Sequence, residues 1–181
     1  MTSQATDQKL VQAALAEFNA HGYGGTDTNK IARRAGFAPQ TFYRWFDDKL
    51  AIFLAAYRQW ENDEFAAIAG ERGKGAAARR IADAIVAHHR AHLGFRRSLR
   101  LLAYEENKVR KARTESRRRQ ITRVREWLGS SNPGDAQIAL VLLQIERIAD
   151  AIAEGEIEDL DVDRNDAIGE LVALIKRVSS R

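Results

Sequence analysis

Apolar residues recur along this chain at three- and four-residue intervals, not in alternation, and that spacing predicts helices almost throughout. Leu10, Ala14 and Phe18, with Val11 and Leu15 beside them, trace one face of a first helix. Gly22 follows as a stop, and Gly24 and Gly25 loosen the connection. A short second helix is expected from about Thr28 to Ala35, capped by Thr28 and ended at Gly36. Pro39 suits the first turn of a third helix, where its missing N–H costs nothing. That helix, about Pro39 to Phe46, sets Phe42 and Phe46 one turn apart on its inner side. Asp47 and Asp48 are candidate caps for a long fourth helix carrying Ile52, Phe53, Tyr57 and Trp60.

The stretch GERGKG at 70–75 reads as a flexible break, with helical periodicity resuming beyond it. Ile81, Ile85 and His88 share one face, and Leu99, Leu102 and Val109 continue the pattern. A long Arg-rich helix ends with Ile121, Val124, Trp127 and Leu128, followed by the loop GSSNPG at 129–134. Two strongly apolar helices close the chain. The first carries Ile138, Val141, Leu142, Ile145, Ile148 and Ile152; the second carries Ile168, Leu171, Val172, Ile175 and Val178. An acidic linker, Glu154–Asp166, separates them. The expectation is therefore an all-α chain of about nine helices.

Composition narrows the class. No apolar run approaches the ~20 residues that span a bilayer. The opening MTSQATDQKL lacks the basic patch and apolar core of a secretory leader. The chain contains no cysteine, which removes disulfides and thiolate metal sites. A cytoplasmic protein without a cofactor fits these features. The net charge is +4, but its distribution is uneven. Residues 96–126 carry twelve bases and four acids, and residues 127–181 carry five bases and eleven acids. Residues 1–50 carry six bases and five acids, so bulk charge does not single out that segment for nucleic acid.

The informative segment is TDTNKIARRAGFAPQTFYRWFDDKLAIF, Thr26–Phe53. A helix-turn-helix needs a small residue where two helices cross, a glycine in the turn, and apolar residues that hold the angle. Ala32, four residues before Gly36, and Phe42, six after it, meet those needs, with Ile31 and Ala35 on the inward side. The third helix then presents Gln40, Thr41, Arg44 and Trp45 to a major groove. Arg33 and Arg34 read as solvated side chains.

This pattern resembles the TetR family of bacterial transcriptional regulators. The residues that carry the resemblance are Phe18, Gly22, Thr28, Ile31, Ala32, Ala35, Gly36, Thr41, Tyr43, Phe46 and Lys49, in one register over about the first 55 residues. The remainder resembles the family in helical composition and length. The resemblance implies a homeodomain-like head over residues 1–50 and a helical effector-binding and dimerisation domain over 51–181. It implies that Thr28, Tyr43 and Lys49 touch DNA phosphates, which fix register and carry little sequence information. Base reading would fall to Gln40, Thr41 and Arg44: Gln suits adenine, Arg suits guanine, and the Thr methyl suits thymine. Three positions depart from the family pattern. Ala38 replaces a frequent Ser and removes a side-chain cap. Gln40 replaces a frequent Gly, and Trp45 replaces a smaller ring.

The resemblance further implies a homodimer through the final two helices, at Ile138, Val141, Leu142, Ile145, Ile148, Ile152, Ile168, Leu171, Val172 and Ile175. Their broad apolar faces independently suggest it, because a monomer would leave part of them wet. Trp60, His88, His92, Leu99 and Tyr104 are candidates for a small-molecule effector pocket, since they combine apolar walls with a few polar groups. His88, His89 and His92 have a spacing compatible with metal, but lack neighbouring carboxylates in the metalloprotease pattern, so pocket wall or core is the reading and no metal site is assigned. The basic run Arg110–Arg119 reads as a solvated face, with the acidic linker Glu154–Asp166 as one partner.

No phosphate loop or Ser nucleophile motif occurs, so no enzymatic activity is expected. The leading expectation is a repressor released from double-stranded operator DNA by an effector. The alternative is a regulator without an effector, controlled by a protein partner or by abundance. A helical enzyme would require three catalytic side chains converging in a pocket.

Overall fold

The computed structural model describes residues 3–73, 78–128 and 133–177. Among them are nine α-helices and one short 3-10 turn, with no strand. The helices are α1 (Ser3–His21), α2 (Thr28–Arg34), α3 (Pro39–Phe42), α4 (Lys49–Gly73), α5 (Ala78–Ala91), α6 (Leu93–Glu105), α7 (Asn107–Leu128), α8 (Asp135–Glu154) and α9 (Arg164–Arg177). The chain forms two compact units, Met1–Asp63 with Gly94–Ala112, and Glu64–Leu93 with Arg113–Arg181.

The first unit is built on an apolar cluster that includes Leu10, Ala14, Phe18, Ile31, Phe42, Phe53, Phe95 and Leu99. Phe53 is its hub: its ring meets Phe18 edge-on at 5.0 Å and lies 5.1 Å from Phe95. Aromatic pairs at such distances add about 0.5–1.5 kcal/mol beyond the area they bury. The start of α6 closes onto α1 through Gly94. The Asn19 side-chain oxygen accepts hydrogen bonds from the Gly94 and Phe95 amides, at 3.1 and 3.4 Å. A Cβ on Gly94 would lie 2.0 Å from the Asn19 carbonyl oxygen, so only glycine fits there.

The second unit has its own cluster, with Ala82, Ile85 and Val86 of α5 packed among α8 and α9 residues. Ile138, Val141, Ile145, Ile152, Ile168, Leu171 and Ile175 are all buried within the chain itself. α5 packs on these faces as a third layer and covers much of them, with Leu142, Ile148 and Val172 left half-buried. The large apolar side chains that α8 leaves in solvent are Leu140 and Leu143.

Several local expectations change. Asp27, not Thr28, caps α2, and its carboxylate accepts from the Lys30 amide at 2.9 Å. Regular helix in α3 stops at Phe42, and the segment reaches Phe46 through tighter turns. α4 continues through Gly73, so the break anticipated at 70–75 does not begin before residue 74, and residues 74–75 lie outside the described residues. Residues 129–132 and Val178 also lie outside them. The Arg-rich face finds its acid on α8: Arg113 bonds Glu146 at 2.9 Å and Arg117 bonds its other oxygen. From the acidic linker, Glu156 instead pairs with Arg147.

Two glycine replacements separate the two reasons for glycine here. Gly94→Ala should destabilise the protein by about 1–3 kcal/mol through a backbone clash. Gly36→Ala meets no atom within 4 Å, yet its φ of +79° disfavours a side chain, costing about 1–2 kcal/mol. Urea unfolding of both variants measures the difference, and Gly94→Ala is expected to be the less stable.

Candidate nucleic-acid interface

The geometry of the head follows from how α2 ends. Gly36 takes a left-handed φ of +79°. Its amide bonds the Arg33 carbonyl at 3.0 Å, and the next amide, Phe37, bonds Ala32 at 2.9 Å. Together these bonds satisfy the orphan carbonyls of α2 and reverse the chain in two residues. Phe37 packs on the core beside the turn. Ala38 then enters α3 without a side-chain cap, and Pro39 supplies the first turn. Phe42 is fully buried and fixes which side of α3 faces inward.

With Phe42 inward, the opposite flank is open. Gln40, Arg44 and Trp45 are exposed, Thr41 is half-buried, and Tyr43 is 59% exposed. Gln40 and Thr41 lie on the regular turn of α3, and Arg44 and Trp45 on the tighter turns that follow it. Amide bonds from Trp45 and Phe46 to the Phe42 carbonyl, at 2.9 and 3.0 Å, hold this register.

Thr28 and Tyr43 meet across the two helices, their hydroxyl oxygens 3.0 Å apart. One hydroxyl proton serves that bond, and the second remains to donate outward. Because Asp27 caps α2, the Thr28 hydroxyl is released for this contact. Lys49 sits less openly than expected. Its ammonium donates to the carbonyls of Tyr23 at 2.9 Å and Thr26 at 3.2 Å, and lies 4.1 Å from the Tyr23 ring centre. Lys49 therefore ties the first turn of α4 to the loop before α2. An ammonium has three N–H donors, so one stays available to a phosphate. Asp48 caps α4 by accepting from Ala51 at 2.7 Å.

Glu17 was not anticipated, and it braces the head from inside. Its buried carboxylate accepts from Arg34 Nε at 2.6 Å and from the Thr26 hydroxyl at 2.8 Å. Burial pushes this carboxyl up. The Arg34 and Thr26 hydrogen bonds, with the charges of Arg34 and His21, outweigh that push and hold it below its ordinary value. Arg34 thus reaches this carboxylate from the surface, and both Arg33 and Arg34 are exposed. Nothing in the local sequence pattern marked Glu17, because a lone Glu on an amphipathic helix reads as surface.

The pocket candidates separate. Trp60 and Leu99 lie in the core of the first unit, where Trp60 stacks under the buried Arg96 guanidinium at 4.7 Å. Tyr104 is 91% exposed. His88 and His92 are half-buried in the second unit, their rings 4.7 Å apart, with His92 Nδ1 2.9 Å from the His88 carbonyl oxygen. The histidine between them is the most constrained. His89 is buried, with Nδ1 2.8 Å from Asp150 and Nε2 2.9 Å from Glu64. A neutral ring donates from only one nitrogen, so the doubly protonated ring satisfies both carboxylates. Its two nitrogens face opposite ways, and no group of three His, Asp or Glu among the described residues is arranged to hold a metal.

Residues 10–56 match the sequence profile of bacterial regulatory proteins of the tetR family. The chain carries a TetR-family helix-turn-helix head. The TetR-like fold extends over the whole chain. A protein from Rhodococcus sp. assigned to the TetR-family regulators superposes at a TM-score of 0.76 with 16% identity, over 98% of this chain and 100% of that one. A tetR-family regulator from Streptomyces coelicolor gives 0.71 and 16%, over 98% and 90%. The fatty acid degradation regulator FadR from Bacillus halodurans gives 0.60 and 15%, over 94% of each chain. At such identities the likeness concerns the fold alone. No curated protein sequence matches. No helix of the described residues is long and apolar enough to cross a membrane.

Two variants test the buried charges of this chain. Glu17→Gln should be less stable than the parent at neutral pH. The folded pKa of Glu17 lies below its unfolded value, so its contribution is present above the unfolded pKa and is lost as pH falls through the folded one. The gap between parent and variant should therefore close on acidification, as followed by urea midpoints from pH 7 downward. His89→Leu leaves the buried Asp150 and half-buried Glu64 carboxylates without their shared partner and should cost about 3–5 kcal/mol, read by thermal unfolding.

Proposed function

We propose that the chain is a dimeric repressor that reads operator DNA with the Gln40–Arg44 flank of α3 and releases it when a small molecule binds. The observation that carries the DNA reading is the open flank opposite buried Phe42, bordered by the Thr28–Tyr43 hydroxyl pair. In this reading Thr28, Tyr43 and the third N–H of Lys49 bind phosphates and set the register. Gln40, Thr41, Arg44 and Trp45 face base edges in the major groove. Operator binding would place the protein in the bacterial cytoplasm, and the reading requires no catalysis and no cofactor.

The dimer contact in this reading shifts from the buried residues of α8 and α9 to their outer sides. Leu140 and Leu143 are the exposed apolar centre, with half-buried Leu142, Ile148 and Val172 beside them. Two such copies would set the separation of two recognition helices, hence the half-site spacing.

Effector response follows from α4. This one helix carries Lys49, which holds the loop before Thr28, and Glu64, which holds His89. A ligand that displaces α4 would pull on the Tyr23–Thr26 loop and disturb the phosphate pair. It must bind the DNA-incompetent state more tightly, or it shifts nothing. Of the five pocket candidates, His88 and His92 are the ones that stay half-buried in the second unit.

Gel shift against DNA flanking the gene tests the contacts. Thr28→Ala with Tyr43→Phe should weaken binding on all sequences alike and reduce the slope of log affinity against log salt, without changing the preferred site. Unaltered affinity would contradict the assignment. Leu140→Asp with Leu143→Asp should sediment as a monomer and lose operator binding. Release of the bound operator by a member of a metabolite library is the expected effector result. A library that never shifts the complex would favour control by a protein partner or by abundance.

A further inference from the structure

Eight large apolar side chains stand exposed among the described residues, and they fall into four neighbouring pairs. Tyr43 with Trp45, and Leu140 with Leu143, are taken up by the DNA and dimer contacts proposed above. Two pairs remain, and they lie in surroundings of opposite charge.

The first is Leu101 and Tyr104, 65% and 91% exposed on α6. They belong to a longer stripe. Arg97, Leu101, Tyr104, Lys108 and Lys111 are all exposed and follow one another at intervals of four, three, four and three residues. α6 and α7 meet at Glu106, whose amide bonds the Leu102 carbonyl at 2.7 Å and whose carbonyl accepts from the Val109 and Arg110 amides. The stripe runs over the end of α6 and the start of α7, apolar in the middle and cationic at its ends. Residues 97–111 hold five bases against two acids, Glu105 and Glu106. Buried Val109 fixes the face by pointing the other way.

The second pair is Leu160 and Val162, 65% and 43% exposed, in the turn between α8 and α9. Residues 158–163 hold four acids, Glu158, Asp159, Asp161 and Asp163, and no base. This turn is built. Leu160 and Val162 amides both bond the Ile157 carbonyl, at 3.1 and 3.3 Å, and Ile157 packs on the core below. Asp161 holds a left-handed φ of +56° between the two apolar residues. The order of ordering this segment is already met before any partner arrives.

We propose that the 158–163 turn of one copy docks on the Arg97–Lys111 stripe of another copy. Leu160 and Val162 lie against Leu101 and Tyr104, and the acids face Arg97, Lys108 and Lys111. Both halves of the match, two apolar residues each with charges of opposite sign, are on this one chain, which is why a second copy is the occupant. The contact joins two different surfaces, so a copy that docks by its turn keeps its own stripe for a further copy, and added to the dimer contact it builds larger assemblies. If the chain reads operators as proposed above, the contact would make neighbouring sites fill cooperatively. Exposed ion pairs and two small apolar contacts make it weak and salt-sensitive.

Sedimentation velocity of the full chain without DNA tests it. Between about 5 and 200 μM in low salt, a species larger than the basal one should appear, and about 0.5 M NaCl should weaken it roughly tenfold. Glu158→Lys with Asp159→Lys should abolish it, as should Lys108→Glu with Lys111→Glu. An equimolar mixture of these two variants should restore association, since the unaltered turn of the second matches the unaltered stripe of the first, and the reversed turn of the first matches the reversed stripe of the second. Circular dichroism confirms that both variants fold. A chain that keeps its basal size at 200 μM in low salt overturns the proposal, as does a mixture that stays dissociated. Stripe variants that lose DNA affinity while self-association persists would assign the stripe to DNA and also overturn it. A basal species that is a monomer would sink the dimer reading alone.

Discussion

The left-handed turn at Gly36 is the constraint on which the head depends. Two amide bonds across it, to Arg33 and Ala32, end α2 and start α3 within a few residues. With that turn made, Phe42 can only point into the cluster of Phe18, Ile31 and Phe53. With Phe42 inward, Gln40 and Arg44 can only point out. The proposed base-reading surface is the residue of this geometry, because α3 itself has a single regular turn and no side-chain cap. A helix so short has little stability of its own, and its conformation is set by what it packs on.

Charge stabilises the same arrangement from within. Glu17 ties α1 to Arg34 of α2 and to Thr26 of the loop. Lys49 ties α4 to the carbonyls of that loop. Both groups would read as surface charges on an amphipathic pattern, and both are spent largely on backbone or side-chain partners of the head. The consequence is that Thr28 is flanked by restrained backbone on either side, which pre-organises its hydroxyl beside Tyr43. Pre-organised donors lose less entropy when they meet a phosphate. In the second unit His89 performs a comparable bracing role, joining Glu64 of α4 to Asp150 of α8.

Much of this was legible in the sequence where one periodicity decides. Leu10, Ala14 and Phe18, Gly36, and Phe42 could be placed because a helix has only one face to bury and glycine alone takes the turn freely. Legibility failed where two residue types compete for one role. Asp27 and Thr28 are adjacent and both cap well, and the spacing cannot say which one does. Burial can also come from two sources. The apolar faces of α8 and α9 suit a partner copy and α5 alike, and periodicity alone does not reveal that Ala82, Ile85 and Val86 pack on them. His88 and His92 attracted attention by their spacing, while His89 between them found the carboxylates, because its partners come from 25 and 61 residues away in the chain.

Binding-site selection from a random DNA library, run in parallel on the parent and on Arg44→Ala, tests the central claim most directly. Arg44 stands on the open flank and contributes nothing to the buried cluster, so the variant keeps the fold. The account predicts that the parent selects a two-fold symmetric site and that the variant loses preference at one base pair in each half, by about 1–3 kcal/mol. An identical selected sequence with undiminished preference at every position would contradict it.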